Sequence, residues 1–126
     1  MIWRQNWGLD NLREIEYSQI VRTKLMNLRV ELAAEYGEKF SRKALGKITK
    51  AVRSLEVYCD MGTKITDVYE IATDYRYIFV NHNYFIYRYD DKRIIMVNMF
   101  NENEDFMMKL FGISGRTDES LDYWGE

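Results

Sequence analysis

The chain has 126 residues, of which 47 % are hydrophobic and 30 % are charged, a composition typical of one globular domain. Its formal net charge at pH 7 is −2 and its isoelectric point is about 5.5. A nucleic-acid-binding domain usually carries a basic excess, so the acidic balance argues against general nucleic-acid binding and leaves only a local basic patch compatible with it.

Cysteine usage and hydropathy predict the compartment. The single cysteine, Cys59, cannot form an internal disulfide, and the sequence contains no recognisable signal peptide. No apolar run approaches the roughly 20 residues that a membrane-spanning helix needs. We therefore expect a soluble protein in the reducing cytoplasm, with no membrane association, no metal and no cofactor.

The first part of the chain predicts a strand followed by a helix. Residues 1–12 fit no strong pattern and are interpreted as an N-terminal appendage, whereas residues 13–17 alternate as a short strand does. Ser18 is a suitable helix N-cap, and Gly37 is a suitable helix end. The apolar positions between them share one helical face: Val21, Leu25, Leu28, Leu32 and Tyr36.

A second helix is predicted after Gly37. With Ser41 as its N-cap, Phe40 and Leu45 occupy the two positions of a hydrophobic staple. The second apolar face consists of Phe40, Ala44, Ile48, Val52 and Leu55. Because the connection is only a few residues long, the two helices should form an antiparallel hairpin.

The pattern changes to strands in the second half of the chain. Strands are predicted near residues 68–72, 75–80, 84–89 and 93–100, with turns at 81–83 and 90–92. In the alternative interpretation, the first two are one strand with a bulge near Asp74. Residues 104–110 predict a short helix that Gly112 stops, and residues 114–126 form a polar tail.

The middle hairpin predicts one aromatic face if its turn has three residues, Asn81, His82 and Asn83. In that register Ile78 lies opposite Ile86, and Arg76 lies opposite Arg88. One face would then be entirely aromatic, and we expect it to form the core against the helices. Its members are Tyr75, Tyr77, Phe79, Phe85, Tyr87 and Tyr89.

The other face of that hairpin is predicted to be an open binding surface. Its apolar members Ile78, Val80 and Ile86 are the candidate partner-binding residues, since exposed apolar patches of this size often mark interfaces. Arg76 and Arg88 would repel each other across the strands. An anion should therefore lie between them: a phosphate, a partner's carboxylate, or an Asp or Glu of this chain.

Three other features have both a structural and a chemical interpretation. His82 is a candidate general acid or base, but a histidine in a turn is more often only solvated. Glu102, Glu104 and Asp105 are better interpreted as acids near a helix N-terminus than as metal ligands, because no histidine stands nearby. Cys59 has no histidine partner in sequence and is interpreted as inert.

The order and spacing of the elements resembles the RelE/ParE superfamily of bacterial toxins from type II toxin–antitoxin modules. The resemblance runs from about Ile15 to Ile113. It is carried by Tyr17-Ser18, Ala44, Leu55, residues 75–80 and 84–88, Asp90-Asp91, residues 94–97, Asp105-Phe106 and residues 110–112. It implies one α+β domain over residues 13–113, in which an N-terminal helical hairpin packs on an antiparallel β-sheet.

The resemblance also implies a function. Such a protein is a small cytoplasmic toxin that inhibits bacterial growth and is neutralised by a cognate antitoxin protein that wraps its exposed surfaces. RelE-like members cleave mRNA in the ribosomal A site, whereas ParE-like members poison DNA gyrase. The ribosome with its mRNA and DNA gyrase are therefore the two expected targets.

This sequence departs from the RelE pattern at its basic positions. Tyr84 stands where an arginine is expected, Glu70 and Ala72 stand where lysines occur, and the acidic residues 101–105 replace a basic run. The favoured function is thus a toxin that acts by binding its target. The alternatives are a degenerate toxin retained as a binding partner and an mRNA endoribonuclease whose catalytic residues are Arg76, His82, Tyr84 and Arg88.

Overall fold

The computed structural model describes residues 12–112. The predicted N-terminal appendage up to residue 11 and the predicted tail at 114–126 lie outside these described residues. Within them, five strands and four helices follow one another along the chain. They are β1 (Glu14–Tyr17), α1 (Gln19–Tyr36), α2 (Glu38–Ser54), β2 (Thr63–Lys64), α3 (Ile65–Val68), β3 (Arg76–Val80), β4 (Asn83–Tyr89), β5 (Arg93–Asn101) and α4 (Phe106–Phe111).

The strands form one sheet in the order β1-β5-β4-β3-β2. Strands β2, β3, β4 and β5 pair with one another in antiparallel fashion, while β1 lies parallel to β5, with Ile15 opposite Ile94. The helical hairpin carries the chain from β1 at one edge of the sheet to β2 at the opposite edge. Strands β3, β4 and β5 then return across the sheet, so that β5 lies beside β1. The predicted α+β class, with an N-terminal helical hairpin on a largely antiparallel sheet, is confirmed.

Helix α1 begins and ends where its sequence predicts. The Ser18 hydroxyl oxygen accepts a hydrogen bond from the Val21 N–H at 3.2 Å and donates one to the Val97 carbonyl at 2.9 Å. Gly37 ends the helix with a φ of 97°, a conformation that side chains disfavour. Neither this helix nor another within residues 12–112 is long and apolar enough to cross a membrane.

The predicted start of the second helix is wrong. Helix α2 begins at Glu38, directly after Gly37, so no separate segment remains in which Ser41 would act as an N-cap. Ser41 is instead buried inside the helix, where its hydroxyl donates to the Arg29 carbonyl of α1 at 2.8 Å. Phe40 is half-exposed and packs on Tyr36, with ring centroids 4.7 Å apart, so it does not form the predicted staple.

The predicted register of the β3–β4 hairpin is also wrong. Val80 pairs with Asn83, so only Asn81 and His82 form the turn. Both have positive φ, 50° and 66°, as a two-residue type I′ turn requires. Relative to the prediction, β4 shifts by one residue. Arg76 therefore lies opposite Tyr87 instead of opposite Arg88.

Because of this shift, the aromatic residues divide between two faces that are both covered. On the helical side, Ile78, Phe85 and Tyr87 are buried with residues of α1, α2 and β5. On the other side, Ile86 is buried with Ile65 of α3 and Phe106 of α4. The expected all-aromatic face and the expected open apolar face therefore do not form, since short helices cover the second side of the sheet.

Residues 68–72 do not form the predicted strand. The chain instead makes the two-residue strand β2 and the single helical turn α3, and then continues irregularly to β3. The alternative of a single long strand with a bulge near Asp74 is wrong for the same reason. The buried side chain of Ile65 fixes α3 against the second core.

The short helix before Gly112 is confirmed as α4, capped by Asp105 and ended by Gly112 in the left-handed conformation.

Candidate functional site

Arg76 lies at the start of β3 and connects the sheet to the loop after α2. One guanidinium nitrogen, Nη1, donates to the carbonyl oxygens of Asp60 at 2.9 Å and Gly62 at 3.0 Å. Its guanidinium carbon lies 5.7 Å from the centroid of the Tyr89 ring, a cation–π distance. Arg76 is therefore half-buried and fixed in orientation, with donors left for a further acceptor.

Arg88 lies on the opposite face of the hairpin. Its Nη2 is 2.7 Å from the Asp74 Oδ2, and both side chains are about half exposed. The expected repulsion between Arg76 and Arg88 does not arise, because the two-residue turn places them on different faces. The acid that neutralises Arg88 is Asp74 of this chain, and neither Glu102 nor Glu104 pairs with either arginine.

Tyr84 packs within the second core. Its ring centroid lies 4.8 Å from that of Phe79, 5.0 Å from that of Phe106 and 5.4 Å from that of Tyr77. The phenol belongs to an aromatic cluster beneath α4 and is half-buried there. This packing gives Tyr84 a structural role whether or not its hydroxyl has a chemical one.

His82 stands in the exposed turn at the far end of the hairpin. Its Nδ1 lies 2.9 Å from the Glu102 Oε2, and its carbonyl accepts a hydrogen bond from the Glu102 N–H at 2.8 Å. The turn is thereby joined to the segment that follows β5. Both side chains of this contact are exposed to solvent, so it contributes little stability.

The four candidate catalytic residues do not come together. His82 and Arg88 stand at opposite ends of β4, six residues and roughly 20 Å apart along an extended strand. Arg76 and Tyr84 face opposite sides of the sheet. In general acid–base catalysis, the acid and the base must both lie within hydrogen-bond reach of one substrate. These four side chains are too far apart to do so in a single site. Their catalytic roles stay predictions.

The acidic segment before α4 caps that helix. The Asp105 carboxylate accepts a hydrogen bond from the Met108 N–H at 3.2 Å, and the Glu104 carboxylate accepts one from the Asn101 N–H at 2.8 Å. Glu104 also pairs with Lys109. Within residues 12–112, no three His, Cys, Asp or Glu side chains are grouped as a metal site would require.

A lysine that sequence reasoning missed lies where α1 crosses β5. The Lys24 Nζ donates to the Asn98 Oδ1 at 2.7 Å and the Met99 carbonyl at 2.8 Å, and it lies 4.3 Å from the Phe100 ring centroid. Burial lowers its pKa below the usual value for a lysine. Its partners lie more than 70 positions away, so no local pattern indicates them.

An exposed apolar surface lies on the helical hairpin. Helix α1 carries apolar side chains outside its buried face, and Ile20, Met26 and Val30 are each more than half exposed. Beside them, a groove between α1 and α2 has a volume of about 410 Å³. The groove is lined by Tyr17, Arg22, Leu25, Met26, Arg29, Leu45 and Thr49.

Comparison with solved structures identifies the fold. A chain in the structure described as the chromosomal ParDE TA system from P. aeruginosa superimposes with a TM-score of 0.59 at 13 % sequence identity. The match covers 72 % of the present chain and 97 % of that one. The protein therefore shares its fold with that chain. No protein-family model matches the sequence, and no curated protein matches it.

Proposed function

We propose that the protein is the toxin of a type II toxin–antitoxin module in the bacterial cytoplasm. It inhibits growth by binding a cellular target and is neutralised by a cognate antitoxin. The observation that carries this proposal is the fold match, which spans 97 % of a chain from a ParDE toxin–antitoxin system. Because nearly the whole of that chain superimposes, the match supports a shared domain and not merely a shared substructure.

The helical hairpin supplies the surface for the antitoxin. Exposed apolar side chains that lie close together favour a protein partner. Met26 and Val30 are two such side chains, beside the groove between α1 and α2. Arg22 and Arg29 line the same groove and favour an acidic partner. An amphipathic helix with acidic residues on its polar side, of the kind that antitoxins use to fold on their toxins, fits both features.

Target binding is a better-supported mode of action than RNA cleavage. The candidate catalytic residues Arg76, His82, Tyr84 and Arg88 are divided between two faces and two ends of the hairpin. The acidic segment around Glu102 and Glu104 would repel RNA phosphate. Of the two expected targets, DNA gyrase therefore fits these features better than the ribosome with its mRNA.

Induction of the chain alone in bacteria tests the proposal. Growth should stop, and pulse labelling should show DNA synthesis falling before protein synthesis. An earlier fall in protein synthesis would favour the endoribonuclease, whose test residues would then be Arg76, Tyr84 and Arg88. Unchanged growth at full expression of folded protein would contradict toxin action and leave the degenerate toxin.

The partner surface is tested by neutralisation. The candidate antitoxin is the product of a neighbouring gene of roughly 70–100 residues that combines a DNA-binding fold with a disordered tail. Co-expression should restore growth with the native chain and fail with Met26→Glu, which places an acid in the groove. Met108→Glu is the matched control, because Met108 is similarly exposed on α4. Equal rescue of both variants would contradict the assignment of the groove.

A further inference from the structure

A second cavity, of about 380 Å³, lies at the base of the β3–β4 hairpin, where the chain enters β3. Lys64 of β2, Arg76 of β3 and Tyr89 of β4 line it, together with Thr66 and Thr73 of the connecting segments. Its volume is that of a small-molecule site. The residues come from three adjacent strands, so the sheet fixes their relative positions.

The cavity places two cations side by side. Lys64 and Arg76 are direct partners in the β2–β3 register, so their side chains emerge on the same face. Like charges directly opposite on a sheet destabilise it. Within the described residues, neither of the two forms an ion pair with a carboxylate, and the neighbouring Asp74 is held by Arg88. Lys64 and Arg76 are therefore suited to bind an anion together.

A third cation stands against the same tyrosine. The Tyr89 ring has the guanidinium carbon of Arg76 at 5.7 Å and that of Arg13 at 5.5 Å from its centroid. The Arg13 Nε donates to the Asp90 carbonyl at 2.7 Å, which fixes its orientation. Both guanidinium groups are thus held by neutral carbonyls and an aromatic ring, which position the charges without neutralising them.

Hydroxyl donors complete the lining. The Thr73 Oγ1 accepts a hydrogen bond from the Tyr75 N–H at 3.2 Å, so its O–H hydrogen is free to donate elsewhere. Thr66 stands on the exposed side of α3, beside Lys64. An oxyanion with several acceptor oxygens would match an ammonium, a guanidinium and two hydroxyl groups better than a carboxylate with two oxygens.

We propose that this cavity binds the phosphate group of a small phosphate monoester. Lys64 and Arg76 would neutralise the phosphate, and Thr66 and Thr73 would donate hydrogen bonds to it. Asp74 also lines the cavity, but its carboxylate is paired with Arg88. An extended nucleic acid fits less well than a small monoester, because it would also run over the surface of a chain that is acidic as a whole. This site is separate from the α1–α2 groove and does not depend on the proposed toxin function.

Titration with inorganic phosphate, followed by amide chemical shifts in NMR spectra, tests the site. Saturable shifts should be centred on Lys64, Thr66 and Arg76 and be absent with sodium chloride at equal ionic strength. Lys64→Gln should weaken phosphate binding at least tenfold. This exposed side chain forms no hydrogen bond or ion pair within the described residues, so the variant should fold normally. Lys43→Gln, at another exposed lysine, should leave binding unchanged.

A second titration separates the sources of phosphate. Adenosine monophosphate should shift the same amides and compete with inorganic phosphate, whereas a single-stranded oligonucleotide without terminal phosphates should not compete. If the oligonucleotide bound at these residues more tightly than adenosine monophosphate, the ligand would be a nucleic-acid backbone. That result would overturn the proposal. Shifts that do not saturate, or equal affinities of Lys64→Gln and Lys43→Gln, would also overturn it.

Discussion

The phenol oxygen of Tyr87 accepts a hydrogen bond from the backbone N–H of Gly62 at 3.0 Å. The same hydroxyl donates to the Cys59 carbonyl at 2.7 Å, and Tyr87 is fully buried. A side chain at the centre of the sheet thus satisfies two backbone groups of the loop that follows α2. That loop in turn carries the carbonyl groups that orient Arg76, so the Tyr87–Gly62 contact positions the proposed phosphate site.

Removing the Tyr87 hydroxyl should destabilise the fold. Tyr87→Phe leaves the Gly62 N–H and the Cys59 carbonyl without their partner, and an unsatisfied buried group costs about 1–3 kcal/mol. Urea unfolding should therefore show a loss of that size in the free energy of unfolding. Tyr36→Phe is the control, because Tyr36 is mostly exposed and should change stability by less than about 0.5 kcal/mol. Equal losses would contradict this role of Tyr87.

Stability should also fall at high pH because of Tyr87. Burial raises the pKa of its phenol from the usual 10.0 to about 12. The unfolded chain therefore releases this proton at lower pH than the folded protein does. The stabilisation is complete below pH 10.0 and is lost as the pH rises through about 12. Unfolding midpoints measured across this range should decline less steeply in Tyr87→Phe, and parallel declines would contradict the assignment.

Two glycine substitutions should have opposite effects. A Cβ at Gly62 would lie 2.6 Å from the Tyr87 Cε1 and 2.9 Å from the Tyr77 carbonyl oxygen, so Gly62→Ala should cost about 1–3 kcal/mol or more. A Cβ at Gly46, inside α2, meets nothing within 4 Å. Gly46→Ala should therefore stabilise the protein by roughly 0.5–1 kcal/mol. Thermal unfolding of both variants checks this, and destabilisation by both would contradict it.

The two-residue turn predicts how position 82 responds to substitution. His82 has a φ of 66°, which glycine adopts freely and a β-branched residue does not. His82→Gly should thus be more stable than His82→Val by at least about 1 kcal/mol. The exposed pair with Glu102 is lost in both variants and cancels in the comparison. Equal stability of the two would favour a turn in which residue 82 has negative φ.

The boundaries of α1 and α4 and the positions of β3, β4 and β5 were predictable because their signals are local. Ser18 caps α1 and Gly37 ends it through contacts within four residues, and Asp105 and Gly112 bound α4 in the same way. The strands from Arg76 to Asn101 were placed to within one residue of their ends by apolar content and intervening turn residues. The order of these elements was also sufficient to predict the α+β class, with an N-terminal helical hairpin on the sheet.

The hairpin register was not predictable from aromatic segregation. The predicted three-residue turn made one face of the hairpin entirely aromatic and left Tyr84 as the only aromatic residue on the other face. Segregation of this kind indicates the register only if a single side of the sheet is buried. Here α3 and α4 cover the second side, so Tyr77 and Tyr84 pack there while Phe85 and Tyr87 fill the first. Helix α3 was not predicted, because the sequence interpretation placed a strand at residues 68–72, from the last residue of α3 onward. The predicted short helix at 104–110 was not assigned to either side of the sheet.

The sequence alone therefore determined the class of fold, the boundaries of α1 and α4 and the absence of a strong basic character, since these depend on neighbouring residues and on composition. Tertiary structure decided which side chains meet. The one-residue register shift separates Arg76 from Arg88, and the β2–β3 pairing brings Lys64 to Arg76 across 12 positions of the chain. Such contacts depend on the pairing of distant strands, and a shift of one residue reverses the face of every side chain.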